Sequence, residues 1–332
     1  MPVRAAAPRS QTASRFAAAA SRPEYKTSRS NEGFRMTRCL HLVDVFTDRV
    51  CSGNQLAVVT GAKGLGARQM QAFAREMNFA ETTFVMSDAP LGGGWPVRIF
   101  TPREEVPFAG HPTLGTAHVI RNALLGGRVD RVTLALEVGL TPVFVERTAK
   151  HELYWMRQRF PTFGRRLSRK QVAPVLGLAA SDLDTQPIEE VSTGLPFVVV
   201  PVRTRRALER IRVDREALLK LVDGLEAKSV IAFAPGARGA GHQLTVRVFV
   251  DYYGVPEDAA TGSGNGCLAS WLVQHRYLDD DAIDLKVEQG LSIGRPSTLH
   301  LRAMRTSRGI EVRVGGGVVD VARGTLVAAR LA

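Results

Sequence analysis

Asp258 stands beside the segment of this sequence that is richest in small residues. The run Thr261-Gly262-Ser263-Gly264-Asn265-Gly266 follows it, and apolar residues spaced three and then one apart come next, within 268–272. This spacing suits one face of a helix, so the small residues lie where a strand turns into a helix. The first backbone N–H groups of a helix have no partner within it and bind anions. The turn is therefore predicted to be an anion site, and Asp258 reaches the same space.

An earlier segment, 100–120, repeats this pattern. When Phe100 is aligned with Phe249, Ala109-Gly110-His111-Pro112 falls on 261–264, with three extra residues in the later copy. Proline is favoured in the first turn of a helix, so His111 lies at a second helix N-terminus, where the helix dipole disfavours imidazolium. A lone histidine is usually structural, but this one repeats the position of Ser263 and is therefore a candidate site residue.

A second internal similarity has nearly the same separation along the chain: residues 52–59 resemble residues 193–200. A period of about 150 residues is too long for a solenoid, and it predicts two homologous domains that each offer one helix N-terminus. Chance similarity among segments rich in Gly, Pro and Val is the alternative. The predicted boundaries are 36–160 for the first domain, 161–186 for a crossover and 187–332 for the second domain. A return of the chain end to the first domain stays open.

A third proton-carrying group, Glu81, stands in a segment whose β-propensity predicts a strand over 79–86. In that strand Glu81 shares a face with Phe79, Thr83 and Val85, and a carboxylate among such neighbours is costly unless it is paired or protonated. Burial raises the pKa of a carboxyl toward neutrality, which suits proton transfer. The alternative is an edge strand with Glu81 in water.

The elements that position these residues follow from apolar periodicity. A buried strand opens the first domain after residue 39, and a turn at Ser52-Gly53-Asn54 leads into a second strand over 55–60. An amphipathic helix over 67–78 ends at Asn78, a suitable C-cap. The remaining predicted strands are 96–100, 132–136, 141–146, 151–158, 230–234, 285–289, 298–303, 310–314 and 318–321, and the remaining predicted helices are 112–124, 168–176 and short helices within 208–228. The second predicted domain opens with 188–202, and 244–250 leads into the segment that contains Asp258.

Composition limits the class of protein. The chain has 332 residues, a net charge of +12 and 45% hydrophobic residues, which is enough for a substantial core. No apolar run approaches the length of a membrane span, so no membrane partner is expected. The basic residues are scattered and match no nucleic-acid reader motif, so nucleic-acid binding is not expected. The three cysteines form no metal or disulfide pattern, which favours a reducing compartment, and we predict a cytoplasmic location.

Residues 1–35 are rich in Ala, Arg and Ser and cannot form a core. This segment is predicted to be a disordered, dispensable extension. A transit peptide and a start codon placed too early, with Met36 as the true beginning, are the alternatives.

Four motifs together carry a family resemblance: AREMNFAETTFV, FTPREEVPFAGHPTLGTAHVI, GVPEDAATGSGNGCLA and EQGLSIGRPS. In this order they resemble the PhzF-like (phenazine biosynthesis) family, which has the diaminopimelate epimerase fold, and the resemblance covers residues 38–330. It implies an α+β protein of two pseudo-repeated domains, each a curved, mostly antiparallel sheet around a central helix. It also implies an active site in the cleft between the domains and a homodimer.

The resemblance assigns roles residue by residue. Glu81 matches the catalytic glutamate of the family, and His111 and Asp258 match its other acid–base and substrate-binding positions. The residues matching the turns that hold a substrate carboxylate are Gly110, Gly262, Ser263 and Gly264. Diaminopimelate epimerases use two thiols in these turns, but neither is present here, so two-cysteine epimerisation is excluded. Cys267, inside the following helix, is assigned to packing.

The resemblance implies a cofactor-independent isomerase that moves a proton between carbons of a small carboxylic acid. The family's reference reaction is isomerisation of trans-2,3-dihydro-3-hydroxyanthranilate. The sequence has no P-loop, no dinucleotide fingerprint and no metal-ligand spacing, so neither a cofactor nor a metal is expected. An isomerase or epimerase acting on another amino-acid-like acid and a non-catalytic binding homologue are the alternatives.

Overall fold

The computed structural model describes residues 38–149 and 151–326. The predictions made for residues 1–35 lie outside the described residues. The first half of the described chain contains the strands β1 Cys39–Val45, β2 Asn54–Thr60, β3 Glu81–Val85, β4 Trp95–Phe100, β5 Glu105–Val106, β6 Arg131–Leu136, β7 Gly139–Arg147 and β8 Glu152–Arg157. Its helices are α1 Ala67–Met77 and α2 Gly110–Val119, and α2 continues as a wider turn over Ile120–Leu124.

The rest of the described chain contains β9 Thr162–Leu167, β10 Ile188–Ser192, β11 Pro196–Pro201, β12 Val230–Pro235, β13 Leu244–Val250, β14 Val255–Asp258, β15 Ala282–Gln289, β16 Ser297–Thr306, β17 Gly309–Gly316 and β18 Val318–Thr325. Its helices are α3 Arg169–Val175, α4 Arg205–Arg210, α5 Arg215–Asp223 and α6 Gly262–Gln274, with single 3-10 turns at Asp251–Tyr253 and Leu291–Ile293.

Strand pairing shows that the two halves repeat one topology. In the first half β1–β2 is antiparallel, β2–β3 parallel, β3–β4 antiparallel, β4–β6 parallel, and β6–β7 and β7–β8 antiparallel. The second half repeats this series of pairings from β10 to β17, with the short β14 in the place of β5. The predicted alignment of Phe100 with Phe249 matches this repeat, because both residues lie at the end of equivalent strands, β4 and β13.

After each repeat of this topology the chain adds one more strand, which pairs with the first strand of the other repeat. β9 follows β8 along the chain but pairs with β10, and β18 follows β17 but pairs with β1. A direct antiparallel pairing of β8 with β17 also joins the two halves. The last described strand, β18, thus lies beside the first described strand, β1.

Each half wraps its strands around one helix that is buried on every side. α2 packs against β1, β2, β3, β6, β7 and β8, and α6 packs against β10, β11, β12, β15, β16 and β17. All ten residues of α2 are buried, as are those of α6 up to Val273. A helix can be enclosed in this way only if no face is charged and if small residues let the strands approach. At Gly115, for example, a Cβ atom would lie 2.6 Å from the side chain of Leu56.

The structure corrects the predicted elements in two places. The predicted crossover, 161–186, contains the strand β9, which sequence patterning did not reveal. β3 begins at Glu81, so Phe79 precedes the strand and does not belong to its face. The amphipathic helix ends as predicted, with Asn78 in the left-handed conformation at its C-cap. No helix in the described ranges is long and apolar enough to cross a membrane.

Candidate active site

The N-termini of the two central helices meet between the halves. A Cβ atom on Gly110 would lie 3.2 Å from the backbone N of Ser263 and 3.3 Å from the Cα of Gly262, so a side chain here would require the facing backbone to shift by a few tenths of an ångström. Neither Ala109 nor Thr261 caps its helix with a side-chain hydrogen bond. The first N–H groups of both helices are therefore left for an anion, and the two helix dipoles favour negative charge at the same place.

The beginning of β2 holds all three predicted acid–base residues in place. Asn54 donates hydrogen bonds from Nδ2 to Oδ1 of Asp258 and to the carbonyl oxygen of Ala260, both at 2.9 Å. The carbonyl oxygen of Gln55 lies 3.2 Å from Nε2 of His111. Leu56, the next residue, pairs with Glu81 in the parallel β2–β3 ladder. Three consecutive residues of one strand thus position groups from β3, α2 and the segment before α6.

Glu81 is a carboxyl that carries its proton at neutral pH. Its side chain is 19% exposed, and Oε2 is closed off from solvent and accepts no hydrogen bond from a described residue. Burial raises the pKa of Glu81 to about 8, and the negative charge of Asp258 adds to the rise. The predicted rise in pKa is confirmed, but the contribution from Asp258 joins residues 177 positions apart and was not visible in the sequence.

His111 is neutral in this site. Burial lowers its pKa to about 3, against a smaller opposing effect of the hydrogen bond to the Gln55 carbonyl. The predicted direction is right, but burial rather than the helix dipole is the main cause. Because a carbonyl oxygen only accepts, Nε2 bears the proton and donates it to Gln55. Oε2 of Glu81 lies 3.4 Å from the same nitrogen, so near neutral pH this contact joins two uncharged groups.

Asp258 has donors on both of its oxygens. Asn54 donates to Oδ1, and the hydroxyl of Thr261 donates to Oδ2 at 2.5 Å. Burial raises the pKa of Asp258, while these two hydrogen bonds and the backbone amides of Ala259 and Ala260 lower it in part. Hydrogen bonds to both oxygens favour the carboxylate form.

A polar network behind Asp258 fixes the start of α6. Gln289 on β15 donates from Nε2 to the backbone carbonyl of Asp258 at 2.9 Å and to the hydroxyl of Thr261 at 3.0 Å. Its Oε1 accepts from the backbone N–H of Thr261 at 3.2 Å and from Nδ2 of Asn265 at 2.8 Å. Every polar atom of the Gln289 side chain is therefore used to hold the turn, and the hydroxyl of Thr261 is oriented toward the carboxylate.

Two other features lie apart from this site. A cavity of about 700 Å³ is walled partly by His118, Tyr154, His242 and His300, and none of the predicted site residues lines it. Cys267 is fully buried, and burial raises the pKa of its thiol to about 12, which fits the packing role assigned to it. Among the described residues, no group of three or more His, Cys, Asp and Glu side chains is arranged to hold a metal ion.

The structure brings together every residue that the sequence analysis placed in the site. It adds Asn54 and Gln55, because Ser52-Gly53-Asn54 was interpreted only as a turn and Gln55 only as the start of a strand. A polar residue at the first position of a buried strand, as at Asn54, was the available signal. Thr261 and Gln289 had been named only within longer motifs, and the structure shows that they hold Asp258 and the start of α6.

A protonated, buried carboxyl that faces two uncapped helix N-termini is suited to acid–base catalysis on a small anion. Residues 43–324 match the family of phenazine biosynthesis-like proteins, PhzC-PhzF. A trans-2,3-dihydro-3-hydroxyanthranilate isomerase of Pseudomonas aeruginosa is 37% identical over 287 residues, which cover 85% of this chain and 97% of that protein.

Two solved structures are similar over almost their whole length. A PhzF-family phenazine biosynthesis protein of Bacillus anthracis has a TM-score of 0.81 at 26% identity, covering 88% of this chain and 99% of that one. A predicted epimerase of Pseudomonas aeruginosa has a TM-score of 0.73 at 33% identity, covering 88% and 100%. The chain belongs to the phenazine biosynthesis-like family and is an isomerase. The resemblance read from the four motifs and the α+β fold of two pseudo-repeated halves are confirmed.

Proposed function

We propose that the protein moves a proton between two carbons of a small carboxylic acid, with Glu81 as the group that carries the proton. The observation that supports this most directly is the raised pKa of Glu81, about 8, in a site that faces two helix N-termini. A carboxyl with such a pKa accepts and returns a proton near neutrality with little free-energy cost either way. The substrate carboxylate would lie against the N–H groups of Gly110, Gly262, Ser263 and Gly264.

The substrate that we propose is trans-2,3-dihydro-3-hydroxyanthranilate, the compound named for the relative from Pseudomonas aeruginosa. The ionised form of Glu81, a minor fraction near neutral pH because the pKa is about 8, takes the proton from the ring carbon that bears the hydroxyl group. The electron pair left behind moves through the conjugated ring, and protonated Glu81 returns the proton to a distant carbon. One C–H bond breaks and another forms, so the product is an isomer and no electron acceptor is required. The enol that results tautomerises to a ketone.

His111 and Asp258 would contact the polar groups of the substrate. Neutral His111 keeps Nε2–H on the carbonyl of Gln55, so it orients and binds rather than delivering a proton of its own near neutral pH. The negative charge of ionised Asp258 raises the proton affinity of Glu81.

The test is to incubate the protein with trans-2,3-dihydro-3-hydroxyanthranilate in deuterated water and to follow the product by NMR and mass spectrometry. Isomerisation is expected for the wild type. Glu81→Gln should lose about a thousandfold or more in turnover, since it cannot accept the proton, while ligand affinity changes little. Turnover of Glu81→Gln within about tenfold of wild type would remove Glu81 from the mechanism.

An epimerase acting on another amino-acid-like acid is the second candidate, favoured by the predicted epimerase of similar structure. The same experiment separates the two. An epimerase places deuterium on the carbon that lost the proton and inverts it, whereas the proposed isomerase delivers a proton to a different carbon. Binding without any exchange or turnover would leave a non-catalytic homologue.

We also propose that the protein acts as a homodimer in the cytoplasm. The dimer is carried over from the family resemblance, and the location rests on three unpaired cysteines, Cys39, Cys51 and Cys267. Sedimentation equilibrium would test the first proposal, and fractionation of the source cells would test the second.

A further inference from the structure

Asn54 makes an unusual pair of contacts. It is the first residue of β2 in the first half, it is only 5% exposed, and both hydrogens of its amide are directed at the second half. One donates to Oδ1 of Asp258 and the other to the carbonyl of Ala260. The donor and its acceptors are more than 200 positions apart in the chain, so this contact exists only when the two halves are together.

The backbone around Asp258 is already held by other residues. Its neighbour Glu257 accepts two hydrogen bonds from Arg247 on β13, at 3.0 and 2.7 Å, and both side chains of this pair are 9% exposed. Gln289 holds the carbonyl of Asp258 from behind. These contacts do not fix the orientation or the charge of the Asp258 carboxylate. The side chains that donate hydrogen bonds to this carboxylate are those of Asn54 and Thr261.

We propose that Asn54 is a positioning residue that acts through Asp258, holding its carboxylate in one orientation and in its charged form when the halves are closed. The inference rests on the proposed function, because it assigns Asn54 a part in setting the proton affinity of Glu81. Asn54 itself transfers no proton. It links a residue of the first half to the charge that Glu81 experiences through Asp258.

The charges around Asp258 make this role specific. Glu81 on β3 is the acidic neighbour, His111 on α2 is neutral, and the charge of Glu257 is matched by Arg247. α6 contributes its N-terminal dipole and has no charged side chain, and Gln289 on β15 is uncharged. Loss of the Asn54 amide therefore removes a donor that none of these groups replaces.

A second cross-half contact provides the matched control. Arg295, from the second half, donates to the carbonyls of Ser52 and Gly53 at 2.6 and 3.0 Å and to Oδ1 of Asp44 at 2.6 Å. It ties the halves together at the turn just before Asn54 but does not touch Asp258. A variant at Arg295 therefore weakens the same junction without altering the donors of the carboxylate.

The experiment measures the titration of Asp258 in the free full-length protein by NMR of [γ-13C]aspartate, with the resonance assigned from Asp258→Asn. Asn54→Leu keeps the shape of the side chain and removes the donor, and Asn54→Ala removes both. A hydrogen bond to a charged group is worth enough to raise the apparent pKa of Asp258 by about one to two units in each variant. Arg295→Lys should lower the melting temperature and leave the Asp258 titration unchanged.

The limb of the kcat/KM profile that reports Glu81 should move to lower pH in the Asn54 variants, because Asp258 then carries less negative charge, and should stay in place in Arg295→Lys. If Asp258 titrates within about 0.3 unit of wild type in both Asn54 variants, the inference is wrong. It is also wrong if Arg295→Lys shifts the titration equally, because Asn54 would then only tie the halves together. A protein that does not isomerise the substrate, but whose Asp258 titration moves only in the Asn54 variants, refutes the proposed function and supports the electrostatic role of Asn54.

Discussion

Replacing Glu81 by glutamine is expected to make the protein more stable at neutral pH, as well as inactive. In the folded protein the pKa of Glu81 is about 8, against 4.5 for an unperturbed glutamate. Between these two values the folded protein keeps the proton that the unfolded chain releases. Stability therefore falls as the pH rises from about 4.5 to 8 and is constant above that range. Glutamine is neutral in both states and avoids this cost.

The magnitude follows from the raised pKa. A pH of 7 lies about 2.5 units above the pKa of 4.5 that the glutamate has in the unfolded chain. At 1.36 kcal/mol per unit, the lost stability at pH 7 is about 3 kcal/mol. The full difference, reached near pH 8, is about 5 kcal/mol. For a chain of this size, 3 kcal/mol corresponds to an increase of about 5 °C in melting temperature.

The assay is unfolding by urea, followed by circular dichroism, of wild type and Glu81→Gln at several pH values from 4.5 to 8.5. The stability difference should be near zero at the acidic end and should grow steadily with pH. Glu137→Gln is the control, because Glu137 is an exposed glutamate of the same half that forms no ion pair with a described residue. A stability difference that stays constant across this range would show that Glu81 is not held in its protonated form.

Three further outcomes follow from the same structure. Asp258→Asn removes the charge that raises the pKa of Glu81, so the limb of the kcat/KM profile that reports Glu81 should move to lower pH; an unmoved limb would exclude this coupling. Gly110→Ala places a Cβ 3.2 Å from the facing helix N-terminus. It should lower the free energy of unfolding, measured with a chemical denaturant, by about 1–3 kcal/mol and should lower the affinity for anions measured by calorimetry. Unchanged affinity would show that this contact does not shape the site. Glu152→Ala leaves the buried Arg121 guanidinium without its carboxylate partner. The free energy of unfolding should therefore fall by about 3–5 kcal/mol, and a fall below about 1 kcal/mol would indicate that solvent reaches the cation.

The internal repeat and the candidate site residues could be predicted because each depends on the residue types of near neighbours in the sequence. The alignment of Phe100 with Phe249 places equivalent strands on each other, and Gly110 and Gly262 each begin a central helix. Alternation of apolar residues and the position of glycine and proline depend only on neighbours within about one turn or one strand. Glu81 was singled out on such a pattern, although one of its supposed neighbours, Phe79, lies outside β3.

What the sequence did not reveal depends on contacts between distant segments. β9 is exposed at four of its six positions and pairs across the junction, so neither its sequence pattern nor its place in the chain indicates a strand. Asn54 is an ordinary turn residue until Asp258 and Ala260 are placed against it. The charge coupling between Asp258 and Glu81 has the same origin, because no periodicity relates β3 of one half to β14 of the other.

The exchange of outer strands has a consequence for how the chain is made. β1 is among the first elements to leave the ribosome, yet its partner β18 is the last strand of the sheet. Synthesis at about 5–20 residues per second leaves one edge of β1 unpaired for roughly 15–60 s after β1 itself has been made. An open strand edge is a template for pairing with other chains. The nascent protein therefore passes through a period in which its first half is incomplete. The yield of folded protein would then depend on a chaperone that covers this strand edge or on a short lifetime of the exposed state.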